Sequence, residues 1–74
     1  MKNEILKYLM TQDVRDSNDI FYMAKEYSII HKIVLGGSFL SSTDNASLTY
    51  TDVNGVLIRF NISLSEINTI KENT

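Results

Sequence analysis

The chain has 74 residues and contains no cysteine, no proline, three glycines and a single histidine. The absence of cysteine excludes a disulfide framework and a thiolate metal site, and one histidine is too few for a histidine-rich site. A single core of this size gives only a few kcal/mol of net stability, so small proteins commonly add a disulfide, a metal ion or a partner subunit. Because the chain lacks the cysteines for a disulfide and the cysteines or histidines for such a metal site, we expect self-association, most simply as a homodimer.

The sequence also lacks long apolar runs. Its first ten residues, MKNEILKYLM, carry Glu4 and Lys7 inside the apolar stretch, unlike the uninterrupted apolar segment of a signal peptide. No run approaches the roughly 20 apolar residues that a membrane-spanning helix needs. Hydrophobic residues make up 43% and charged residues 22% of the chain, as in ordinary globular domains. We therefore expect one domain over residues 1–74, located in the cytosol and without a membrane partner.

Acidic residues are concentrated in one part of the chain. The net charge is −2, and residues 13–26 contain Asp13, Asp16, Asp19 and Glu26 against two basic residues. Acidic side chains suit the start of a helix, so a solvated helix start is the simpler interpretation. The alternative is a surface that meets a basic partner. These four acids are the candidate partner-binding residues, and the sequence offers no candidate catalytic or metal-binding residues.

The spacing of apolar residues predicts an α+β fold with two N-terminal helices, a small antiparallel sheet and a short C-terminal helix. The first helix is expected over residues 3–12, with Asn3 as its cap. The second is expected to begin at Ser17 or Asn18, since both residue types cap helices well.

Residues 29–37 allow two predictions. Several β-branched residues in 29–34 favour a strand, whereas helical spacing continues to about residue 34. We favour the helix, because a strand starting at residue 29 would overhang partner strands of only about seven residues. Gly36 and Gly37 would then supply a left-handed helix stop.

A bulged hairpin is predicted over residues 46–62, around the Asn-Gly pair at 54–55. A two-residue loop would pair Thr51 with Ile58 and place threonines on the apolar side. A three-residue loop instead pairs Tyr50 with Ile58 and gathers the apolar residues on one face, which burial should favour.

Shorter elements complete the predicted fold. Residues 38–42 form a candidate strand, followed by a turn over residues 42–45. Ser63 and Glu66 have the spacing of a capping box, which predicts the start of the C-terminal helix.

The residues needed for enzyme chemistry are scarce. His31 lies in an apolar run, where a lone histidine is usually structural. Gly36 and Gly37 are not followed by the lysine and hydroxyl residue of a phosphate loop. A calcium loop starting at Asp13 would have Arg15 at its third position, which excludes that site. We therefore expect no enzyme activity, no cofactor and no bound metal.

Two helices followed by a hairpin also suggest an alternative function, a small winged-helix-like DNA-binding regulator. Such a protein needs a basic recognition helix and a basic wing to neutralise phosphates. The second helix opens with acidic residues, and the hairpin offers only Arg59. We therefore do not expect direct nucleic-acid binding and keep this function as the alternative.

The opening MKNEILKYLM and the acidic stretch DVRDSND stand in a very short chain without cysteine or proline. In these features the chain resembles small bacteriophage host-takeover proteins, in particular the sliding-clamp inhibitors of Twort-like staphylococcal phages. The resemblance implies a homodimer in the host cytoplasm that occupies the basic DNA channel of the sliding clamp and blocks clamp loading. The four acidic candidates would then contact the channel. Many clamp-binding peptides have glutamine before an apolar pair, whereas Gln12 precedes Asp13 and Val14, so the usual peptide pocket is not the implied main site.

Overall fold

A computed structural model describes residues 1–40 and 42–73 of the chain. Three helices and three strands confirm the predicted α+β class, in the order helix, helix, strand, strand, strand, helix. The elements are α1 (Lys2–Met10), α2 (Ser17–Ile30), β1 (Leu35–Leu40), β2 (Asn45–Thr51), β3 (Leu57–Ser63) and α3 (Leu64–Glu72).

The three strands form one antiparallel sheet in the order β1-β2-β3, with a helical layer on one face. Helix α2 packs over β1 and β2, α3 packs on β3, and α1 contacts both other helices. Alternation along the strands directs one set of side chains into the interface with the helices. The buried apolar core lies between the layers and consists of Ile5, Leu6, Leu9, Val14, Ile20, Ala24, Leu35, Ala46, Leu48, Ile62 and Ile67. The opposite sheet face carries exposed residues such as Ser38, Arg59 and Asn61.

The first helix begins and ends earlier than predicted. Helix α1 starts at Lys2 with Met1 in the cap position, so Asn3 is a helical residue and its predicted capping role is wrong. The Met1 ammonium group lies 3.0 Å from Oε2 of Glu4, which places a negative charge in the first turn. At the other end, Thr11 is the C-cap, and its hydroxyl donates to the carbonyl oxygen of Tyr8 at 2.7 Å.

Asp16, rather than Ser17 or Asn18, caps the second helix. Its backbone is extended, and its Oδ1 accepts a hydrogen bond from the Asp19 amide at 2.9 Å. Ser17 is the first helical residue and is fully buried, so its side chain faces the core rather than the free amides of the first turn. The predicted start of the helix is therefore confirmed at Ser17, and the predicted cap is wrong.

Helix α2 ends at Ile30, four residues before the predicted end. Lys32 takes the left-handed conformation with φ of 56°, and the Ile33 amide donates to the Ser28 carbonyl oxygen at 2.8 Å. These features close the helix in the manner of a Schellman cap, with lysine where glycine is usual. The predicted stop at Gly36 and Gly37 is therefore wrong.

Both glycines belong to β1, which starts at Leu35 instead of residue 38. Gly37 has φ of 132° and lies opposite Leu48 on β2. A Cβ atom at Gly37 would overlap the carbonyl oxygen of Ser47, so the strand needs a glycine there. Of the predicted strand 38–42, Ser41 lies outside the described residues. The predicted turn is confirmed over residues 42–44, where Asp44 has φ of 51°.

The predicted hairpin register is confirmed. Tyr50 lies opposite Ile58, and the apolar pairs continue along both arms. The Asp52 amide donates to the Val56 carbonyl oxygen at 3.0 Å, and the Gly55 amide donates to the Asp52 carbonyl oxygen at 3.0 Å. Gly55 has φ of 80° and is the left-handed residue of a three-residue bulged loop.

Ser63 caps α3 as predicted, since its Oγ accepts a hydrogen bond from the Glu66 amide at 3.1 Å. The Glu66 carboxylate lies 3.1 Å from Nζ of Lys2, which joins α3 to the start of α1. At the other end of α3, Lys71 donates to the carbonyl oxygen of Gln12 at 3.0 Å. The first contact joins α3 to α1, and the second joins α3 to the segment that follows α1.

Candidate protein-binding surface

Three of the four acidic candidates lie around Arg15, between α1 and the first turn of α2. The Arg15 guanidinium lies 3.1 Å from Oδ2 of Asp13, and its backbone amide donates to Oδ2 of Asp19 at 3.0 Å. Asp16 is engaged in capping α2. The structure therefore brings Asp13, Asp16 and Asp19 together, but each has a local partner, and Arg15 offsets part of their charge.

Glu26 lies apart from that group, on the exposed side of α2. Burial of the Tyr8 side chain, and then its interaction with the Glu26 carboxylate, raise the pKa of the Tyr8 hydroxyl. The Tyr8 ring also lies 5.5 Å from the Tyr27 ring, measured between centroids. Glu26 therefore extends the acidic surface along the helix and contributes to the α1–α2 contact.

The exposed side of α2 combines acidic and apolar side chains. At about 100° of rotation per residue, positions separated by three, seven, ten and eleven residues share one side of a helix. This side, which we call the outer face of α2, consists of Asp19, Tyr22, Glu26, Ile29 and Ile30. Tyr22, Ile29 and Ile30 keep 61%, 75% and 59% of their surface exposed. Apolar residues on both the buried and the exposed side are typical of a helix that binds a partner protein.

Reasoning from the sequence missed this surface. Helical spacing predicted a helix to about residue 34 without separating a buried from an exposed side, whereas Ile30 is exposed and Val34 lies beyond the helix, 87% exposed. A signal was present, because apolar residues fall on more than one side of the predicted helix. Only packing decides which side the sheet covers.

A groove lies at the end of the molecule where the α2–β1 connection meets the hairpin loop. Its volume is about 520 Å³, and it is lined by Met1, Lys32, Ile33, Val34, Tyr50, Thr51, Asp52 and Val53. Apolar side chains dominate this lining. The groove is separate from the acidic residues around Arg15, and it begins where the outer face of α2 ends.

Positive charge is sparse where a winged helix would need it. The outer face of α2 carries two carboxylates, and Arg59 is the one charged side chain on the open sheet face among the described strand residues. This distribution opposes close approach to a phosphate backbone.

His31 lies at the C-cap of α2 and is exposed, with its ring 4.2 Å from the Tyr27 ring between centroids. Within residues 1–40 and 42–73, no three histidine, aspartate or glutamate side chains converge to form a metal site. The helices in the same part of the chain are too short and too polar to cross a membrane.

Comparison with protein-family models, with curated protein sequences and with solved structures found no match to this chain. The resemblance to phage clamp inhibitors therefore stays a prediction. The outer face of α2 is the strongest indication of function that the geometry offers.

Proposed function

We propose that this protein is a non-enzymatic inhibitor that binds a host DNA-replication protein, with the sliding clamp as the favoured target, and that it acts as a homodimer. The observation that carries the proposal is the outer face of α2, where carboxylates alternate with exposed tyrosine and isoleucine side chains. A binding protein of this kind needs a shaped surface and complementary charge but no catalytic groups.

The apolar part of the outer face supplies contact area. Tyrosine is enriched at the centre of protein interfaces, where the fully buried area is also more apolar than at the rim and a few side chains contribute most of the binding free energy. Ile29 and Ile30 are adjacent, and Tyr22 lies two turns earlier on the same side of the helix. Exposed apolar surface is unfavourable in water. A partner that covers these side chains therefore adds a favourable hydrophobic contribution to the binding free energy.

The acidic part of the outer face supplies electrostatic attraction toward a basic partner. Glu26 lies between Tyr22 and Ile29, and the group around Arg15 adds further carboxylates at the start of the helix. Carboxylates attract a surface lined with lysine and arginine and speed the encounter with it. A channel that normally holds DNA has such a lining, which supports the sliding clamp suggested by the resemblance at residues 1–10 and 13–19.

We place the homodimer contact at the outer edge of β3. The closing pair Asp52–Val56 is hydrogen-bonded, and bonding alternates along an antiparallel pair. Leu57, Arg59 and Asn61 therefore direct their backbone groups away from β2, and all three are exposed. Pairing with a second copy would extend the sheet and satisfy these groups.

Side chains at this edge support the same contact. Ile58 and Phe60 are only partly buried, so a neighbouring strand would cover more of their surface. A register that offsets the two Arg59 side chains avoids placing like charges opposite each other. Two copies would also double the net charge of −2 to about −4 on the assembly.

The test measures binding to the purified sliding clamp of a staphylococcal host by surface plasmon resonance. The double variant Ile29→Ala, Ile30→Ala should weaken binding at least about tenfold, because buried interface side chains are lost. Leu40→Ala is the matched control, since Leu40 is 60% exposed on the open sheet face. Equal binding by the double variant and the wild type would contradict the assigned surface.

The charge contribution is tested separately. Glu26→Lys should slow association with the clamp and reduce the salt dependence of the rate, whereas Glu72→Lys on α3 should have little effect. Absence of clamp binding by the wild-type protein would contradict the favoured target. Salt-dependent binding to plain duplex DNA near physiological ionic strength would instead support the DNA-binding regulator.

A further inference from the structure

We propose that Asn54 is a modification site, which loses its side-chain amide by spontaneous deamidation, and that Asp52 slows the reaction by holding the hairpin loop closed. Asn54 is the one asparagine of the chain that precedes a glycine. The site lies between β2 and β3 and is independent of the outer face of α2.

The reaction joins the backbone nitrogen of Gly55 to the Cγ atom of Asn54. The nitrogen first gives its proton to a base in solution, and then the N–Cγ bond forms while the Cγ–Nδ2 bond breaks and ammonia leaves. Water opens the resulting succinimide at one of its two carbonyl groups. Opening at Cγ gives aspartate, and opening at the backbone carbonyl gives isoaspartate, whose main chain is one carbon longer. Both products add one negative charge to the loop.

The reacting atoms are open to solvent. Asn54 and Gly55 are both exposed, and open space surrounds the position that a Gly55 Cβ atom would occupy. Glycine also leaves its nitrogen unhindered, because it carries no side chain. Within residues 1–40 and 42–73, the side-chain amide of Asn54 has no hydrogen-bond partner, so no contact there holds it away from Gly55.

The closed loop opposes the reaction, and Asp52 provides the bonds that close it. Oδ1 of Asp52 accepts from the Asn54 and Val56 amides at 2.9 Å each. The carbonyl oxygen of Asp52 accepts from the Gly55 amide at 3.0 Å. The attacking nitrogen must lose its proton, so this last bond has to break before the reaction starts. Local opening of the loop therefore limits the rate, and the two bonds to Oδ1 oppose that opening.

The experiment incubates the protein in mildly alkaline buffer and maps its peptides over time by mass spectrometry. Each deamidation adds about one dalton, and chromatography separates the aspartate and isoaspartate products. Residue 54 should be modified before any other asparagine, and faster in a urea concentration that unfolds the chain. In the same urea, Gly55→Ala should slow the reaction severalfold, since the added methyl group hinders the attacking nitrogen.

Two variants isolate the restraint by Asp52. Asp52→Ala should deamidate at least about fivefold faster than the wild type, with its fold checked by circular dichroism, because two amides lose their acceptor. Asp52→Asn keeps an acceptor oxygen without the charge and should react at nearly the wild-type rate.

Asp16→Ala is the control for global unfolding, since it removes the cap of α2 and leaves the loop unchanged. It should also deamidate at nearly the wild-type rate. Earlier modification of another asparagine, equal rates for the folded and the unfolded wild type, or equal rates for the wild type and Asp52→Ala would overturn the proposal. So would Asp52→Asn or Asp16→Ala reacting as fast as Asp52→Ala.

Discussion

The Lys25 ammonium group donates a hydrogen bond to the Leu35 carbonyl oxygen at 3.0 Å, so α2 covers part of the outer edge of β1. Leu35 pairs with Tyr50 in a position that leaves its carbonyl oxygen directed away from β2. The lysine satisfies that oxygen and keeps its ammonium group 5.8 Å from the centroid of the Phe21 ring. The edge at β1 is thus partly blocked, whereas the edge at β3 presents exposed residues.

Arg59→Pro should convert the proposed homodimer to a monomer. The Arg59 amide points outward, so proline there removes no bond to β2 but blocks pairing with a second strand. The mass of both proteins is measured by light scattering, and circular dichroism confirms the fold. Arg59→Ala is the control that removes the charge but keeps the amide, and it should remain dimeric. A wild-type mass equal to one chain would contradict the dimer itself.

Asp16→Ala should lower the free energy of unfolding by about 1 kcal/mol, because the Asp19 amide loses its capping oxygen. Asp16→Ser removes the same charge but keeps a capping oxygen, so its stability should stay near that of the wild type. Urea unfolding measures both. If the two variants lose equal stability, charge rather than capping explains the role of Asp16.

Gly37→Ala should be far more damaging than Gly55→Ala. A Cβ atom at Gly37 would meet the backbone of Ser47 and Leu48, whereas Gly55 has open space around it. We expect a loss above about 3 kcal/mol at Gly37, and about 1–2 kcal/mol at Gly55, where only the positive φ is unfavourable. Thermal and urea unfolding measure both variants. Equal losses would show that the close approach of β1 and β2 relaxes easily.

The fold should lose stability in alkaline solution as Tyr8 ionises. Burial, and then the Glu26 carboxylate, raise the pKa of Tyr8 above 10.0. The unfolded chain releases this proton at lower pH than the folded one, so stability is intact below about pH 10 and falls as pH rises through the folded pKa.

Glu26→Gln removes the nearby charge and should move the Tyr8 titration to lower pH, which NMR of the tyrosine ring carbons measures. Glu72→Gln is the control. An unchanged Tyr8 curve in the Glu26 variant would show that burial alone sets the shift.

The local sequence was sufficient to predict the structure where neighbouring residues supply both the alternation of apolar and polar side chains and the residues that form the turn. Alternation across residues 46–62 permits only one register that buries the apolar face, and Asp52 and Gly55 suit the loop that this register needs. Ser63 likewise has the residue type and spacing of a cap. These features involve contacts between residues close in sequence, so the class of the fold and the hairpin could be predicted from the sequence.

The sequence by itself determined the α+β class, the hairpin register and the start of α3. Tertiary structure decided where α2 ends and which of its apolar sides is exposed. As a residue type, isoleucine at positions 29 and 30 is compatible with a helix or a strand, and with a buried or an exposed site. Ile29 and Ile30 are exposed because the opposite side of α2 packs on β1 and β2. Gly37 lies in a strand because β2 approaches too closely for a Cβ atom, a contact between residues distant in the chain.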